Sequence, residues 1–311
     1  MKKKKEEFLG NLWKNKKKIF WGVVTVYIAF IFITAIIQSV AFALDSKLVF
    51  IPLEGMIMID GETDMFSSGV SSSSVVEMIE QAAEDETVKA IVIEINSPGG
   101  TVVASKEIAD ALAEVEKPTI ALIREVGASG AYWVASAADM IFVDDLSITG
   151  SVGVVSSYLQ FSNFLDDYNI TYEEMSAGYY KEAGSMFREL SEDERVYLQE
   201  KIDGIYEFFV GEVAFNRNIS YESALELADG KFYLGYEALE VGLVDSIGNK
   251  KDVVSYVEGL TGYEDLLEVV YSPNKGFFES LFGVMGDMSY GVGRGIGSYL
   301  YAQDDFEIKV M

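Results

Sequence analysis

One serine of the sequence lies in a setting that could support nucleophilic chemistry. Ser129 stands in the small-residue segment 127–131 (GASGA), after a predicted strand at Thr119–Ile123 and before a predicted helix at Ala131–Ala138. A serine in the first turn of a helix lies near free backbone amides and the positive end of the helix dipole, which stabilise a developing oxyanion. The same position is typical of a serine that only caps the helix. This segment alone leaves both interpretations open.

The composition limits the groups that could take a proton from this serine. The chain contains no cysteine and no histidine, which excludes a thiol nucleophile, a Ser-His-Asp triad and metal sites built on those two ligands. A covalent mechanism would need a lysine or a carboxylate as its general base. Carboxylate-rich metal sites alone stay open, and we predict neither a metal nor a cofactor.

A second segment could bind an oxyanion through its backbone. Gly99 and Gly100 end the turn 96–100 (NSPGG), between a predicted strand at Lys89–Ile95 and a predicted helix at Val102–Val115. Backbone amides at such a strand-to-helix turn can bind an anion or a carbonyl oxygen. A tight turn that requires positive φ also explains the glycine pair.

Six short segments form an ordered set along the chain. They are NSPGG (96–100), ASG (128–130), LSITGSVGVV (146–155), GYYKEA (178–183), DGKFYLG (229–235) and GLVDSIG (242–248). In order and spacing they resemble signal peptide peptidase A, over about residues 47–250. The resemblance implies that Ser129 is the nucleophile, that Lys181 is the general base and that Ser151 orients the lysine. We assign the oxyanion hole to the amides of Gly100 and Gly130.

Lys181 and Ser151 would carry no such roles if each were taken singly. Lys181 would be a solvated surface lysine, and Ser151 would be a turn residue. As a general base, Lys181 must be neutral, so desolvation must lower the pKa of its ammonium by several units from about 10.4. The flanking Tyr179, Tyr180 and Ala183 suit a partly dry pocket, provided that the side chain of Glu182 points away.

Strands alternate with helices along the body of the sequence, which indicates an α/β domain. Further strands are predicted at Lys47–Leu53 and 141–143, and a further helix at Ser72–Ala83. A capping box at Ser191–Glu194 predicts the start of a longer helix that ends near Asn216. The resemblance implies the crotonase- and Clp-protease-like fold, built from turns of a ββα superhelix. It also implies a ring-shaped homo-oligomer, an octamer, in which neighbouring subunits supply the serine and the lysine.

The charged residues are unevenly distributed. Residues 1–18 hold eight Lys and two Glu, whereas the rest of the chain carries 16 basic and 48 acidic residues. So acidic a body argues against a nucleic-acid partner. Segment 19–44 has no charged residue and is long enough to cross a bilayer as a helix. The lysines before it predict a cytoplasmic N-terminus and an extracytoplasmic body; a cleaved signal peptide is the alternative, because Ala41-Phe42-Ala43 resembles a cleavage site.

We therefore divide the chain into a basic cytoplasmic tail (1–18), a transmembrane signal anchor (19–44), a serine protease domain (45–271) and a Gly-rich amphipathic C-terminal extension (272–311). We expect a single-pass protein of the cell membrane, a serine endopeptidase that degrades cleaved signal peptides and misfolded membrane or secreted proteins. Three alternatives stay open. They are a Clp-class membrane protease with a specific membrane partner, an acyl-CoA hydratase or isomerase of the same fold, and a non-proteolytic membrane scaffold. The extension would serve packing, oligomer contact or contact with the membrane surface.

Overall fold

The strands of the body form one eight-stranded sheet in a computed structural model that describes residues 20–34, 46–60 and 69–272. Its central path runs in the order β10-β1-β4-β5-β6-β9, and β7 pairs with both β5 and β8. The pairs are parallel except for the antiparallel pair β7–β8. The short strands β2 and β3 form a separate parallel pair. The strands are β1 (Lys47–Glu54), β2 (Met56–Met58), β3 (Gly69–Ser71), β4 (Val88–Ser97), β5 (Thr119–Ala128), β6 (Met140–Val143), β7 (Ile148–Gly150), β8 (Phe232–Leu234), β9 (Ser246–Ile247) and β10 (Leu267–Val270).

Helices connect most of these strands, as parallel pairing requires. The helices are α1 (residues 20–34), α2 (Ser72–Glu84), α3 (Val102–Ala113), α4 (Gly130–Ser136), α5 (Ser162–Asp167), α6 (Glu192–Asn216), α7 (Tyr221–Leu227), α8 (Gly235–Glu240) and α9 (Lys250–Thr261). The capping box predicted at the start of α6 is present, because the Ser191 side chain accepts from the Glu194 amide while the Glu194 carboxylate accepts from the Ser191 amide.

The central strands are buried on both faces, which explains their nearly continuous apolar runs. Alternate side chains of a strand point to opposite faces. In β1, Val49, Ile51 and Leu53 belong to the larger core cluster, which includes buried residues of α2, α3 and α4. Leu48 and Phe50 face the opposite way and belong to a smaller cluster with Val253 and Val257 of α9. The sheet is therefore packed between α2, α3 and α4 on one face and α9 on the other.

The predicted mixed α/β architecture is confirmed, and the predicted elements lie within a few residues of those observed. The main difference is β5, which runs through Ala128 rather than ending at Ile123. Burial also changes along α6. Val196, near its start, is exposed, whereas Phe209 and Val213 in the second half are buried. The first half of α6 therefore extends beyond the core.

The N-terminal helix α1 occupies residues 20–34 of the predicted anchor segment 19–44, and its apolar side chains are exposed. Residue 19 and residues 35–44 lie outside the described residues, as does the predicted C-terminal extension from residue 273. Within the described parts of the chain, no helix combines the length and the apolar character needed to cross a membrane.

Candidate active site

Ser129 lies where β5 ends and α4 begins. Strand β5 ends at Ala128 and α4 begins at Gly130, so Ser129 alone makes the turn between them. Its φ of 54° and ψ of −124° are unusual for a residue with a side chain, and such a conformation costs about 1–3 kcal/mol. The Ser129 amide donates to the Gly150 carbonyl at 2.8 Å. Its side chain makes no capping hydrogen bond to α4, so the helix-cap interpretation does not describe this serine.

Helix α4 is packed firmly enough to hold the strained turn. All of its residues are buried. The Tyr132 hydroxyl donates to the Leu243 carbonyl at 2.8 Å, and burial raises the pKa of this phenol above its usual value. The Trp133 ring stacks on Phe209 of α6, with 4.6 Å between ring centroids and 12° between ring planes. These contacts fix the helix start and therefore the conformation of Ser129.

The glycine pair that follows β4 lies against this turn. Gly99 has φ of 100°, and a Cβ atom built on it would lie 2.7 Å from the Gly130 nitrogen and 3.0 Å from the Ser129 Cβ. A Cβ atom built on Gly130 would lie 3.3 Å from the Gly100 nitrogen. The structure gives neither the Gly100 nor the Gly130 amide a hydrogen bond to any described residue. Two unpaired donors thus stand close to the Ser129 side chain, as an oxyanion hole requires.

Ser151 shares a cavity with Ser129. The cavity has a volume of about 440 Å³ and is also lined by Gly153, Val154, Val155, Tyr206, Ala228, Asp229 and Gly230. Ser151 has a positive φ of 53°. Its amide donates to the Lys231 carbonyl at 2.9 Å, and its hydroxyl donates to the Gly230 carbonyl at 3.2 Å. With its proton committed to Gly230, the Ser151 oxygen is available to accept a hydrogen bond.

Lys181 is not among the described residues that line this cavity. It lies in a run of turns at 178–184, where its amide donates to the Gly178 carbonyl at 3.0 Å. The Lys181 side chain is exposed and makes no ion pair within the described residues. The expected partly dry pocket is not formed around it by this single chain, because the turn faces solvent and Tyr179 is 73% exposed.

The chain therefore brings together four of the five residues that the sequence predicts for the site, namely Ser129, Ser151, Gly100 and Gly130. The sequence reasoning missed the group that holds the lysine-bearing turn, Arg188 with Glu194. In the sequence, the capping box alone accounts for Glu194, and the signal that points to the pair is Arg188, a basic residue between Lys181 and that box. Among the described residues, no group of three or more acidic side chains could hold a metal ion.

Comparison with known proteins gives consistent matches. Residues 111–264 match the model of peptidase family S49, and residues 53–142 match that of Clp protease. The chain is 35% identical over 239 residues to a protein provisionally named as a protease in Methanocaldococcus jannaschii, with 76% of each chain covered. It is 32% identical over 246 residues to a protein provisionally named signal peptide peptidase SppA in Enterococcus faecium, with 78% of this chain and 72% of that one covered.

A solved structure and a longer relative complete the comparison. A mutant of the 1510-N membrane-bound stomatin-specific protease has a TM-score of 0.51, covering 74% of this chain and 99% of its own at 14% identity, a likeness that concerns the fold alone. Protease 4 of Haemophilus influenzae is 32% identical over 218 residues, which cover 69% of this chain and 35% of that protein. The expected Clp-protease-like fold is confirmed. The chain belongs to peptidase family S49, together with proteins named signal peptide peptidase SppA and protease 4, and it is a serine peptidase.

Proposed function

We propose that the protein is a membrane-anchored serine endopeptidase with Ser129 as nucleophile and Lys181 as general base. The observation that carries this proposal is the strained turn at Ser129, with the unpaired amides of Gly100 and Gly130 beside it and an open cavity next to its side chain. The Ser129 oxygen attacks the peptide carbonyl, and the two amides stabilise the negative charge that develops on the carbonyl oxygen.

The proton transfers assign a role to the lysine and to the second serine. A neutral Lys181 takes the proton of Ser129 during attack and gives it to the leaving amine, which frees the first product. It then takes a proton from water as the water oxygen attacks the serine ester, and it returns that proton to the Ser129 oxygen as the acid product leaves, which regenerates the Ser129 hydroxyl and the neutral lysine. The Ser151 oxygen accepts a hydrogen bond from the lysine nitrogen throughout, which leaves the nitrogen lone pair directed at the nucleophile.

Lys181 reaches the site from a neighbouring subunit in this proposal. Within one chain Lys181 is exposed and lies outside the cavity of Ser129 and Ser151. Residues 152–187, here called the apolar arm, run from that cavity through the turn that bears Lys181. Many large apolar side chains of the arm are exposed, such as Val155 (87% exposed) and Met175 (102% exposed). Contiguous exposed apolar surface is typical of an interaction site. A ring-shaped homo-oligomer, an octamer by family resemblance, would bury the arm and desolvate the lysine.

Segment 19–44 anchors the protein in the cell membrane, with the N-terminus cytoplasmic and the catalytic domain outside. The exposed apolar side chains of α1 support this part of the proposal. The substrates are peptides, cleaved signal peptides in particular, and misfolded membrane or secreted proteins. A protease restricted to one membrane partner would share the same site, and the range of peptides that are cleaved distinguishes the two.

The test uses the full-length protein purified in detergent, a serine-reactive fluorophosphonate and a peptide library. Ser129→Ala and Lys181→Ala are compared with Ser73→Ala and Lys251→Ala, which change exposed residues of the same types on α2 and α9. We expect the first two variants to lose cleavage and labelling and the controls to keep both. Cleavage by Ser129→Ala at the wild-type rate would overturn the proposal.

A mixing experiment tests the shared site. If neighbours supply the lysine, equal parts of Ser129→Ala and Lys181→Ala, co-assembled from dissociated subunits, recover part of the wild-type activity. In such an assembly, an interface is active where Ser129 of a Lys181→Ala subunit meets Lys181 of a Ser129→Ala subunit. No recovery in assemblies shown to contain both variants would place both groups in one subunit.

A further inference from the structure

We infer that Arg188 and Glu194 form a positioning pair that fixes the turn bearing Lys181 against the N-terminus of α6. The inference rests on the proposed role of Lys181 as general base. Neither residue lines the cavity of Ser129 and Ser151, so the pair acts through the lysine turn rather than on the substrate.

Arg188 connects the two segments with its whole guanidinium group. Its two terminal nitrogens donate to the two carboxylate oxygens of Glu194, at 2.8 Å (Nη1) and 2.5 Å (Nη2). Nη2 also donates to the carbonyl oxygen of Glu182, the residue directly after Lys181, at 3.0 Å. Nη1 donates to the Glu189 carbonyl at 3.2 Å, and Nε lies 3.8 Å from the Glu174 carboxylate. A lysine could not reproduce this planar set of bonds.

Glu194 is a firm anchor for this arginine. Its side chain is 5% exposed, and its carboxylate also accepts from the Ser191 amide and the Ser191 hydroxyl, each at 3.0 Å. The hydrogen bonds from Arg188, and after them those from Ser191, lower the pKa of this carboxyl to about 2. The carboxylate is therefore charged and fully paired, and such pairs bind in a well-defined geometry.

The lysine turn has few other constraints. Between α5 and α6 the chain has no helix or strand, and around Lys181 the backbone is held by single turn hydrogen bonds, such as that from the Ser185 amide to the Glu182 carbonyl at 3.0 Å. Tyr180 stacks on Tyr197 of α6, with ring centroids 4.5 Å apart. The Tyr179 hydroxyl donates to the Asp193 carboxylate at 3.1 Å. The side-chain contacts of Tyr179, Tyr180 and Arg188 lead to the first turns of α6, so one surface of that helix determines where the lysine stands.

This arrangement has a kinetic consequence. A general base that is displaced by about 1 Å can lose roughly 100-fold in rate, because proton transfer needs hydrogen-bond distance and alignment. A loosened turn would leave Lys181 present and the peptide cleft intact. Loss of the pair should therefore lower kcat and leave KM nearly unchanged, and it should shift the pH dependence of the base.

The experiment measures peptide cleavage by the assembled full-length protein in detergent for Arg188→Gln, Arg188→Lys and Glu194→Gln. Arg124→Gln is the matched control, because Arg124 is also paired with a glutamate, Glu94, but lies outside the lysine turn. We expect kcat to fall about 10- to 100-fold in Arg188→Gln, with KM within about twofold, and to fall less in Arg188→Lys. The acidic limb of the pH profile of kcat/KM, which reports deprotonation of Lys181, should shift by at least about half a unit.

The outcomes separate this inference from the proposed function. Wild-type kcat and an unshifted acidic limb in Arg188→Gln, with Ser129→Ala and Lys181→Ala inactive, would overturn the positioning role alone. Activity in Ser129→Ala or Lys181→Ala would instead overturn the proposed function. If Arg188→Gln fails to fold or assemble, the Arg188→Lys variant decides. A lower kcat in this variant, with a melting temperature equal to that of the wild type, supports the inference, and an unchanged kcat refutes it.

Discussion

Replacement of Gly100 by alanine tests the proposed oxyanion hole directly. A Cβ atom built on Gly100 would lie 2.0 Å from the Ile57 carbonyl oxygen and 2.6 Å from the Ile57 nitrogen. These are backbone atoms, so no side chain can rotate away to make room. Two backbone hydrogen bonds hold Ile57 in place. Its amide donates to the Gly99 carbonyl at 3.0 Å, and its carbonyl accepts from the Thr101 amide at 2.9 Å. The methyl group must therefore displace the backbone that carries the Gly100 amide.

Two effects of known size follow from that displacement. Overpacking of this kind destabilises a protein by about 1–3 kcal/mol, which lowers the melting temperature of a domain of this size by roughly 2–12 °C. Loss of one oxyanion donor reduces kcat by about 100- to 1,000-fold. We expect both effects in Gly100→Ala, with kcat falling far more than the small loss of stability could explain.

The assay compares Gly100→Ala with Gly204→Ala in peptide cleavage, fluorophosphonate labelling and thermal unfolding. A Cβ atom built on Gly204, in the exposed part of α6, meets no atom of another described residue within 4 Å, apart from its chain neighbours and the helix's own backbone. Alanine there should keep full activity and stabilise the helix by about 0.5–1 kcal/mol. Wild-type activity in a folded Gly100→Ala protein would refute the assignment of this amide to the oxyanion hole.

Three further predictions concern other parts of the structure. Ser151→Gly suits the positive φ at this position but removes the hydroxyl group. We expect kcat to fall roughly 10- to 100-fold, which corresponds to the loss of a hydrogen bond to a charged group, and the melting temperature to stay unchanged. An unchanged kcat would contradict the proposed role of Ser151. Glu194 has a folded-state pKa lowered to about 2, so it contributes stability at neutral pH that is lost as the pH falls from about 4.5 towards 2. The melting temperature of Glu194→Gln should be below that of the wild type at pH 7, and the difference should shrink below pH 4.5 and vanish only as the pH falls to about 2 or lower. The Asp245 carboxylate accepts from two nitrogens of the nearly buried Arg217, at 2.6 and 3.0 Å, and from the Ile141 amide at 2.8 Å. Because the Asp245 side chain is partly exposed, Asp245→Ala should cost about 1–3 kcal/mol, the cost of leaving these donors unpaired, and a change below about 0.5 kcal/mol in urea unfolding would contradict this account.

The parts of the fold that depend on local patterning could be predicted from the sequence. The buried strands β1 and β4 follow from continuous apolar, β-branched runs, and α6 follows from its capping box. Short strands such as β7 and β8 could not be predicted, because three residues carry too little periodicity and their pairing is determined by distant segments. The far end of β5 was missed because its second half, Arg124–Ala128, contains charged and small residues in place of the apolar run.

The geometry of the candidate site was predictable where a motif fixes the backbone and unpredictable where a side chain connects two distant segments. Ser129, Gly100 and Gly130 lie in glycine-rich turns whose steric demands show in the residue types themselves. Arg188 and Glu194, in contrast, each have an ordinary local explanation, as a surface arginine and a helix cap. Their relation to Lys181 depends on the course of the chain between α5 and α6, which has no periodic pattern.

Strand β5 changes its neighbour before it reaches Ser129. It pairs with β6 through Ile120–Ile123 and with β7 through Val126–Ala128, and its pairing with β4 shifts register over the same stretch. The backbone of β5 therefore connects the sheet interior to the end that carries Ser129, but no single continuous ladder of hydrogen bonds spans both parts. Deuterium should enter the amides of Val126–Ala128 well before those of Ile120–Ile123. Such a division would let natural selection change the end that carries Ser129 while the sheet interior keeps its hydrogen bonds and its packing.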